Sequence, residues 1–332
     1  MVVLHSMKAI IITEPGGPEV LEIGEYETPN PQVDEVRIRV KATALNRADT
    51  LQRRGLYPPP PGASPILGLE VAGVVESFGA SVTNVKVGDK VCALLAGGGY
   101  AEYACVHKDL LLPVPVGMTC ANAAGIPEVF MTAYQALVYL AELKEGETIL
   151  IHAGASGVGT AAIQIARSLG ARVIVTASAG KHQLCKDLGA SHCIDYRSQN
   201  FETEVANITD GKGVNVILDF LAASYFQQNI NSMAVDARMV MLAAMGGVKV
   251  SDLDMGKIVW KRLKIMGSTL RARSIEYKIK LTQDLRGQFW SKFEDATFKP
   301  IIDSQFDWTE VVIAHKRMDA NLNAGKIILE IN

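Results

Sequence analysis

The chain has 332 residues, of which 48% are hydrophobic and 20% charged, with a formal net charge of −2. That length exceeds one ordinary core and fits two domains. The composition excludes a disordered chain, and the near-neutral charge leaves no footprint for nucleic acid or an anionic membrane surface. No apolar run approaches the roughly eighteen residues of a membrane span. The stretch Met1 to Met7 is apolar but short and lacks a basic segment, so a secretory signal is not expected; Met7 reads as a second candidate start. The five cysteines, Cys92, Cys105, Cys120, Cys185 and Cys193, are odd in number and nowhere spaced C-x-x-C. They read as reduced, mostly buried thiols of a cytoplasmic protein, not as disulfides or a structural zinc site.

In chain order, residues 8–12, 35–44, 73–78, 90–93 and 100–106 are short segments rich in Val, Ile and aromatic residues. Turn residues punctuate them, as in Glu14-Pro-Gly-Gly-Pro18 and Val87-Gly-Asp89, which predicts a β-rich domain. Residues 122–143 suit helices interrupted at Pro127. Strands and helices then alternate: strands at 148–153, 172–177, 192–196, 214–220, 238–243 and 264–269, with helices at 160–169 and 181–188 stopped by Gly170 and Gly189. Such alternation predicts a doubly wound parallel sheet. A long helical stretch follows Arg271, then an amphipathic segment at 308–318. A lone terminal strand at 326–331 is expected to return to the first domain, because strands need partners.

The strongest motif is Ile149-Leu-Ile-His-Ala-Gly-Ala-Ser-Gly-Val-Gly159. Gly154, Gly157 and Gly159 let a strand turn tightly into a helix and bring backbone close to a pyrophosphate, with Ser156 and Val158 between them. The helix start offers free N–H groups and a positive dipole end. A lone glycine motif is weak; one set between a strand and a helix in a βαβ series is much stronger. At the tip of the next strand, Thr176-Ala-Ser-Ala-Gly-Lys181 contains no carboxylate to pair with a ribose 2′-hydroxyl. Ser178, Lys181 and, one strand further, Tyr196 can receive a 2′-phosphate. Taken alone, Lys181 reads as a solvated helix residue; the missing acid carries the argument toward NADP(H). Tyr57, in the stiff loop Tyr57-Pro-Pro-Pro-Pro-Gly62, reads either as a ring for a planar substrate or as an ordinary loop tyrosine.

These motifs, together with Ala44-Leu-Asn-Arg-Ala-Asp49, Leu67-Gly-Leu-Glu-Val-Ala-Gly73, Gly97-Gly-Gly-Tyr-Ala-Glu102 and Gly325-Lys-Ile-Ile-Leu329, resemble the medium-chain dehydrogenase/reductase superfamily. More narrowly they resemble its zinc-independent quinone oxidoreductases, closest to the group that a tumour suppressor induces in animals. The resemblance implies an α/β protein with a GroES-like β-rich domain at 1–128, a Rossmann NADP(H)-binding domain at 129–270, and a segment at 271–332 returning to the first. It implies an active site in the cleft between domains, a homodimer or, as in some branches, a tetramer, and NADPH-dependent reduction of a small-molecule quinone or conjugated carbonyl. Asn46 and Thr132 are the implied catalytic positions, and Tyr57 joins them as a candidate from its place in the Pro-rich loop. Asn46 and Thr132 are also expected beside the nicotinamide. Ala243, Ala244, Met245 and Gly246, then Ser268, Thr269 and Leu270, and finally Asn323, Ala324 and Lys326 are expected to contact the cofactor.

Zinc-dependent relatives carry G-H-E where this chain has Gly68-Leu69-Glu70, and a cysteine ligand within the segment held here by Leu45-Asn46-Arg47, so no metal is expected. His152 is expected to be a packed core residue. Two departures stand out: Ala243-Ala-Met-Gly-Gly247 where relatives often show Gly-Leu-Met-Gly-Gly, and Leu221-Ala-Ala223 where a Gly-containing turn is usual. The alternatives are an NADPH-dependent 2-alkenal or enoyl reductase, and an NADPH-regulated RNA-binding or abundant soluble protein. The lack of any basic stretch argues against the latter.

Overall fold

Alternation builds the first β layer. Along residues 35–44, Val36, Ile38, Val40 and Ala42 are buried while Arg37, Arg39 and Lys41 face the other side, the period of a half-buried antiparallel strand. The structure is a computed structural model that describes residues 6–332; of the short leader before Met7, only Ser6 lies among them. The strands are β1 (Ser6–Ile12), β2 (Leu21–Glu27), β3 (Glu35–Ala44), β4 (Glu70–Phe78), β5 (Lys90–Leu94), β6 (Tyr103–His107), β7 (Leu111–Pro113), β8 (Thr148–Ile151), β9 (Arg172–Ala177), β10 (His192–Asp195), β11 (Val214–Asp219), β12 (Met233–Met241), β13 (Lys264–Gly267), β14 (Ile302–Asp307) and β15 (Lys326–Glu330).

The chain divides into two compact units: residues up to Met131 together with Leu270–Asn332, and Thr132–Thr269. In the first unit, one sheet runs β14-β15-β3-β4-β5-β7, with β6 also on β3, and β1 pairs separately with β2. One edge of β3 is shared. Glu35–Arg39 pairs with β6, and Ala42–Ala44 pairs with β15. The terminal strand therefore docks beside the chain leaving β3. It is not alone, since β14 pairs with it in parallel. The segment Ile302–Asp307 escaped sequence reading because it mixes Asp, Ser and Gln into its pattern. The core of this unit gathers Ile10, Ile38, Val71, Leu67 and Tyr100 with Trp308, Val311, Ile327 and Leu329.

The second unit holds a six-stranded, all-parallel sheet in the order β10-β9-β8-β11-β12-β13. Its direction of winding reverses between β8 and β11, which is where such sheets bind ligands. Ile149, Leu150 and Ile151 are fully buried, as expected of a strand covered on both faces.

The helical stretch near 122–143 resolves into Cys120–Ala123, Pro127–Tyr134 and a π-helical turn at Gln135–Leu140. Pro127 opens a helix instead of interrupting one, because the first helical position needs no N–H. β12 begins at Met233, straight out of the helix Phe226–Ser232. Only Cys92 and Cys185 among the free thiols are buried; Cys105, Cys120 and Cys193 are partly exposed, which corrects the expectation of mostly buried cysteines. No helix among the described residues is long and apolar enough to cross a membrane.

Candidate functional site

In the second unit, β8 ends in a turn whose backbone is set by Ala153, a non-glycine residue in the left-handed region at φ 49°. Such positions cost of order 1 kcal/mol and concentrate at functional sites. Two glycines make the turn's packing possible. A Cβ on Gly154 would stand 2.6 Å from the Val175 side chain on β9, and one on Gly159 would stand 2.4 Å from the Ala153 carbonyl oxygen. The helix Gly157–Ser168 begins at once, with Ser156 as its N-cap accepting from the Gly159 N–H at 3.0 Å. Gly154 and Gly159 are buried, whereas Ser156, Gly157 and Val158 are partly exposed. The rim of the turn therefore presents the leading N–H groups of the helix, which have no intrahelical partner.

Behind the turn lies a neutral polar chain. The Ala153 N–H donates to Thr176 Oγ1 at 3.3 Å. Thr176 Oγ1 lies 3.0 Å from His152 Nδ1, and His152 Nε2 lies 2.7 Å from Asn229 Oδ1. Burial lowers the His152 pKa. The neutral ring with its proton on Nε2 satisfies both contacts, with the threonine hydroxyl donating to Nδ1. Histidine here is a core residue that ties β8, β9 and the helix Phe226–Ser232 together.

The β9 tip carries Ser178 and Lys181 on a single 3-10 turn, with the Lys181 N–H donating to the Ser178 carbonyl at 2.9 Å. No acid stands there, and Gly180 has open space around it. Tyr196 is exposed beyond β10, and the Arg197 guanidinium lies 5.9 Å from its ring centroid. Sequence reasoning passed over Arg197. Both line a cavity of about 360 Å³ with Phe201, Tyr225 and Gln228.

After β11, the fully buried Asp219 carboxylate accepts from the Leu221 and Ala222 N–H groups at 3.1 and 2.9 Å. Ala222 is itself left-handed at φ 52°, so alanine occupies a turn that glycine would occupy without strain. The Met245 and Gly246 N–H groups donate to the Phe220 and Leu221 carbonyls, which sets Ala243–Gly246 beside that turn. Ala244 and Met245 are exposed. The Ser268 hydroxyl contacts Gln135 Oε1 at 3.3 Å, and Thr269 is exposed. Thr132 Oγ1 is buried with no hydrogen-bond partner. A buried hydroxyl left unsatisfied costs about 1–3 kcal/mol and fits a position that a bound group completes.

The first unit assembles a different centre. The Lys326 ammonium donates to Glu70 Oε1 at 2.7 Å, Asn46 Oδ1 at 2.7 Å and the Leu45 carbonyl at 2.8 Å. Asn46 Nδ2 donates to Glu70 Oε1 at 2.9 Å and the Ala44 carbonyl at 3.2 Å, and the Glu128 N–H donates to Glu70 Oε2 at 2.8 Å. Glu70 is 0% and Lys326 3% exposed. All three ammonium donors are engaged inside this unit.

Asp49 accepts from the Asn46 and Gly68 N–H groups; burial nevertheless pushes its pKa up to about 6. Tyr100 donates to Asp49 and lies against His315, which meets Arg53 at 2.9 Å. Burial takes the His315 pKa down to about 3. The Arg271 guanidinium is held by the Ala96 carbonyl and Gln52 Oε1 and lies 5.3 Å from the Tyr57 ring centroid. One face of Tyr57 is thereby covered. Burial raises the pKa of its phenol, which keeps the hydroxyl a donor. Asn323 donates to the Gly325 carbonyl, and Ala324 and Leu270 lie in this unit as well.

Of the residues singled out in the sequence, Asn46 and Lys326 meet directly. The glycine turn, the β9 tip and Tyr196 share the same end of one parallel sheet. Glu70, Asp49 and Glu128 were missed as site members. The only local signal was an acid, Glu70, inside the apolar run Leu69-Glu-Val-Ala72.

Residues 157–284 match the family described as zinc-binding dehydrogenase, and residues 32–116 match the alcohol dehydrogenase GroES-like domain. The quinone oxidoreductase of Homo sapiens is 31% identical over 97% of this chain and 97% of its own length. A putative inactive phenolphthiocerol synthesis polyketide synthase of Mycobacterium tuberculosis is 42% identical over 67% of this chain, which spans only 13% of that relative. Among solved structures, a mycobacterial protein complexed with NADPH has a TM-score of 0.87 at 30% identity, covering 98% of this chain and 100% of that one. The CurK enoyl reductase has a TM-score of 0.88 at 27% identity, covering 98% and 99%.

Proposed function

The chain belongs to the medium-chain dehydrogenase/reductase superfamily, and on that premise we propose that it is an NADPH-dependent reductase of quinones that works without zinc. One observation carries the reading: a glycine-built turn at the reversal point of an all-parallel sheet, next to a strand tip without an acid. The residues fit the coenzyme. The turn 154–159 holds the pyrophosphate through backbone N–H groups and the helix dipole. Ser178, Lys181 and Tyr196, with Arg197, receive the 2′-phosphate, and Thr132 gains the partner its hydroxyl lacks. Bound NADPH supplies a hydride.

The rest is positioning by this chain's own groups. Asn46 is fixed by Lys326 and Glu70, and Tyr57, its ring packed on Arg271, offers a phenol proton to a carbonyl oxygen. Ala243–Gly246, Ser268–Leu270 and Asn323–Lys326 are further cofactor contacts in this reading. A zinc ion does not fit the Glu70 cluster, because an ammonium already occupies the carboxylate at 2.7 Å. No group of three His, Cys, Asp or Glu side chains suited to a metal occurs among the described residues. We assign a cytoplasmic homodimer as the working form.

A second reading, reduction of a conjugated alkenal or enoyl group, is favoured by the likeness to the CurK enoyl reductase. Steady-state rates with NADPH on 1,2-naphthoquinone and on crotonaldehyde separate the two. Faster turnover of the quinone is expected; faster turnover of crotonaldehyde, with the quinone inert, contradicts the primary reading.

A further inference from the structure

Reduction of a carbonyl by hydride leaves a negative oxygen that must take a proton; the Tyr57 phenol can hydrogen-bond to that oxygen, but burial raises its pKa and makes it a poor proton source at neutral pH. Resting on that reading, we propose that the Glu128 carboxyl is the general acid that protonates the reduced substrate. Glu128 is the second residue of the helix Pro127–Tyr134, one turn before Thr132. Its backbone N–H is anchored on Glu70 Oε2 at 2.8 Å, so the residue is fixed against the buried Lys326–Glu70–Asn46 cluster. Its carboxyl, by contrast, has no hydrogen-bond partner among the described residues, and the residue is only partly buried. A carboxyl held by its backbone and unengaged at its tip is free to meet a ligand atom.

The surroundings decide its protonation. Glu70 on β4 and Asp49 on the helix Arg47–Arg53 oppose a second negative charge, whereas Lys326 on β15 and Lys278 on the helix Ile275–Glu294 favour it. Tyr57 and Arg271 sense the same carboxyl. Lys326 is already paired with Glu70, and Lys278 donates to the Arg271 carbonyl at 2.6 Å, so neither cation is committed to Glu128. Burial is the largest influence, and the pKa rises to about 8. Of two neighbouring carboxyls, the one without a cation keeps its proton. The group is therefore an acid at neutral pH, with a pKa near the operating range that general acid catalysis favours.

In the step, the substrate accepts a hydride with its electron pair, and the carbonyl oxygen becomes anionic. The Glu128 O–H bond breaks, an O–H bond forms on that oxygen, and the electron pair stays on the carboxylate. Water returns a proton to Glu128 before the next turnover. The acid is available below its pKa and is lost as pH rises through about 8.

The test pairs kinetics with a readout independent of turnover. Isotope-edited infrared titration of the substrate-free protein should show a protonated carboxyl at pH 7 that ionises near pH 8 and is missing in Glu128→Gln. That variant should lower kcat by on the order of 10²-fold, lose the alkaline fall of wild-type kcat, and bind NADPH with unchanged affinity. Its deficit should shrink on electron-poor quinones, whose reduced anions need the proton less, and Glu128→Asp should recover part of the loss. An E128Q enzyme with wild-type kcat and pH profile overturns the assignment, as does a Glu128 carboxyl already ionised at pH 7. Should E128Q fail to fold, the wild-type infrared titration alone decides. Wild-type protein that neither binds NADPH nor turns over a quinone would instead overturn the functional reading itself.

Discussion

The two units bury polar groups in opposite ways. The first unit encloses a charged cluster, Lys326–Glu70 with Asn46, flanked by Asp49 and Glu128. The second encloses the uncharged chain Thr176–His152–Asn229 behind its glycine turn. A neutral network rigidifies a loop without desolvating ions. A buried ion pair is a weak source of stability, because the desolvation of both ions offsets their attraction. Its presence is better explained by the field it imposes on Asn46 and on the neighbouring carboxyls. The difference separates a neutral scaffold from a charged cluster that, in the proposed function, sets the electrostatics around Asn46 and Glu128.

The largest expected effect comes from breaking the charged cluster on one side. Lys326→Met leaves the Glu70 carboxylate buried without its cation and should cost about 3–5 kcal/mol. Adding Glu70→Gln should recover most of that in urea unfolding, because the pair contributes little net stability. A single variant as stable as wild type would erase the contrast. A smaller loss, about 1–3 kcal/mol, is expected for His152→Phe, which strands Asn229 Oδ1 and the Thr176 hydroxyl.

The histidine also has a pH signature. Its folded pKa lies below the unfolded value, so the unfolded chain binds the extra proton. Its contribution is complete above about pH 6.5 and is lost as pH falls below that value. The His152→Phe variant should therefore show a shallower loss of stability between pH 7 and 5 than wild type.

Much of the second unit was legible in the sequence because its signals are local. Apolar strands, Gly stops and the run from Ile149 to Gly159 all sit within a few residues of one another, and the parallel sheet follows. Helix and strand ends moved by a few residues where capping, not periodicity, sets them, as at Ser156 and Met233. The first unit was legible as β-rich, yet β2, β14 and the helix Arg47–Arg53 were not read. Their sequences are short and mixed in polarity, and pairing rather than propensity holds them. The charged cluster was hidden for another reason. Glu70 and Lys326 meet only because β15 returns to β3, across a sequence separation no local pattern encodes. Resemblance named Asn46 and Lys326, but not the acids that surround them.

In the proposed function the glycine turn closes on a dinucleotide whose adenosine ribose carries an extra phosphate. Fluorescence titration of the full chain with NADPH and with NADH tests it most directly. NADPH should bind at least about 10-fold more tightly, consistent with charge-assisted hydrogen bonds worth roughly 1.5–3 kcal/mol, and Lys181→Ala with Ser178→Ala should narrow that gap. Equal affinity for the two coenzymes, or no binding of either, would contradict it.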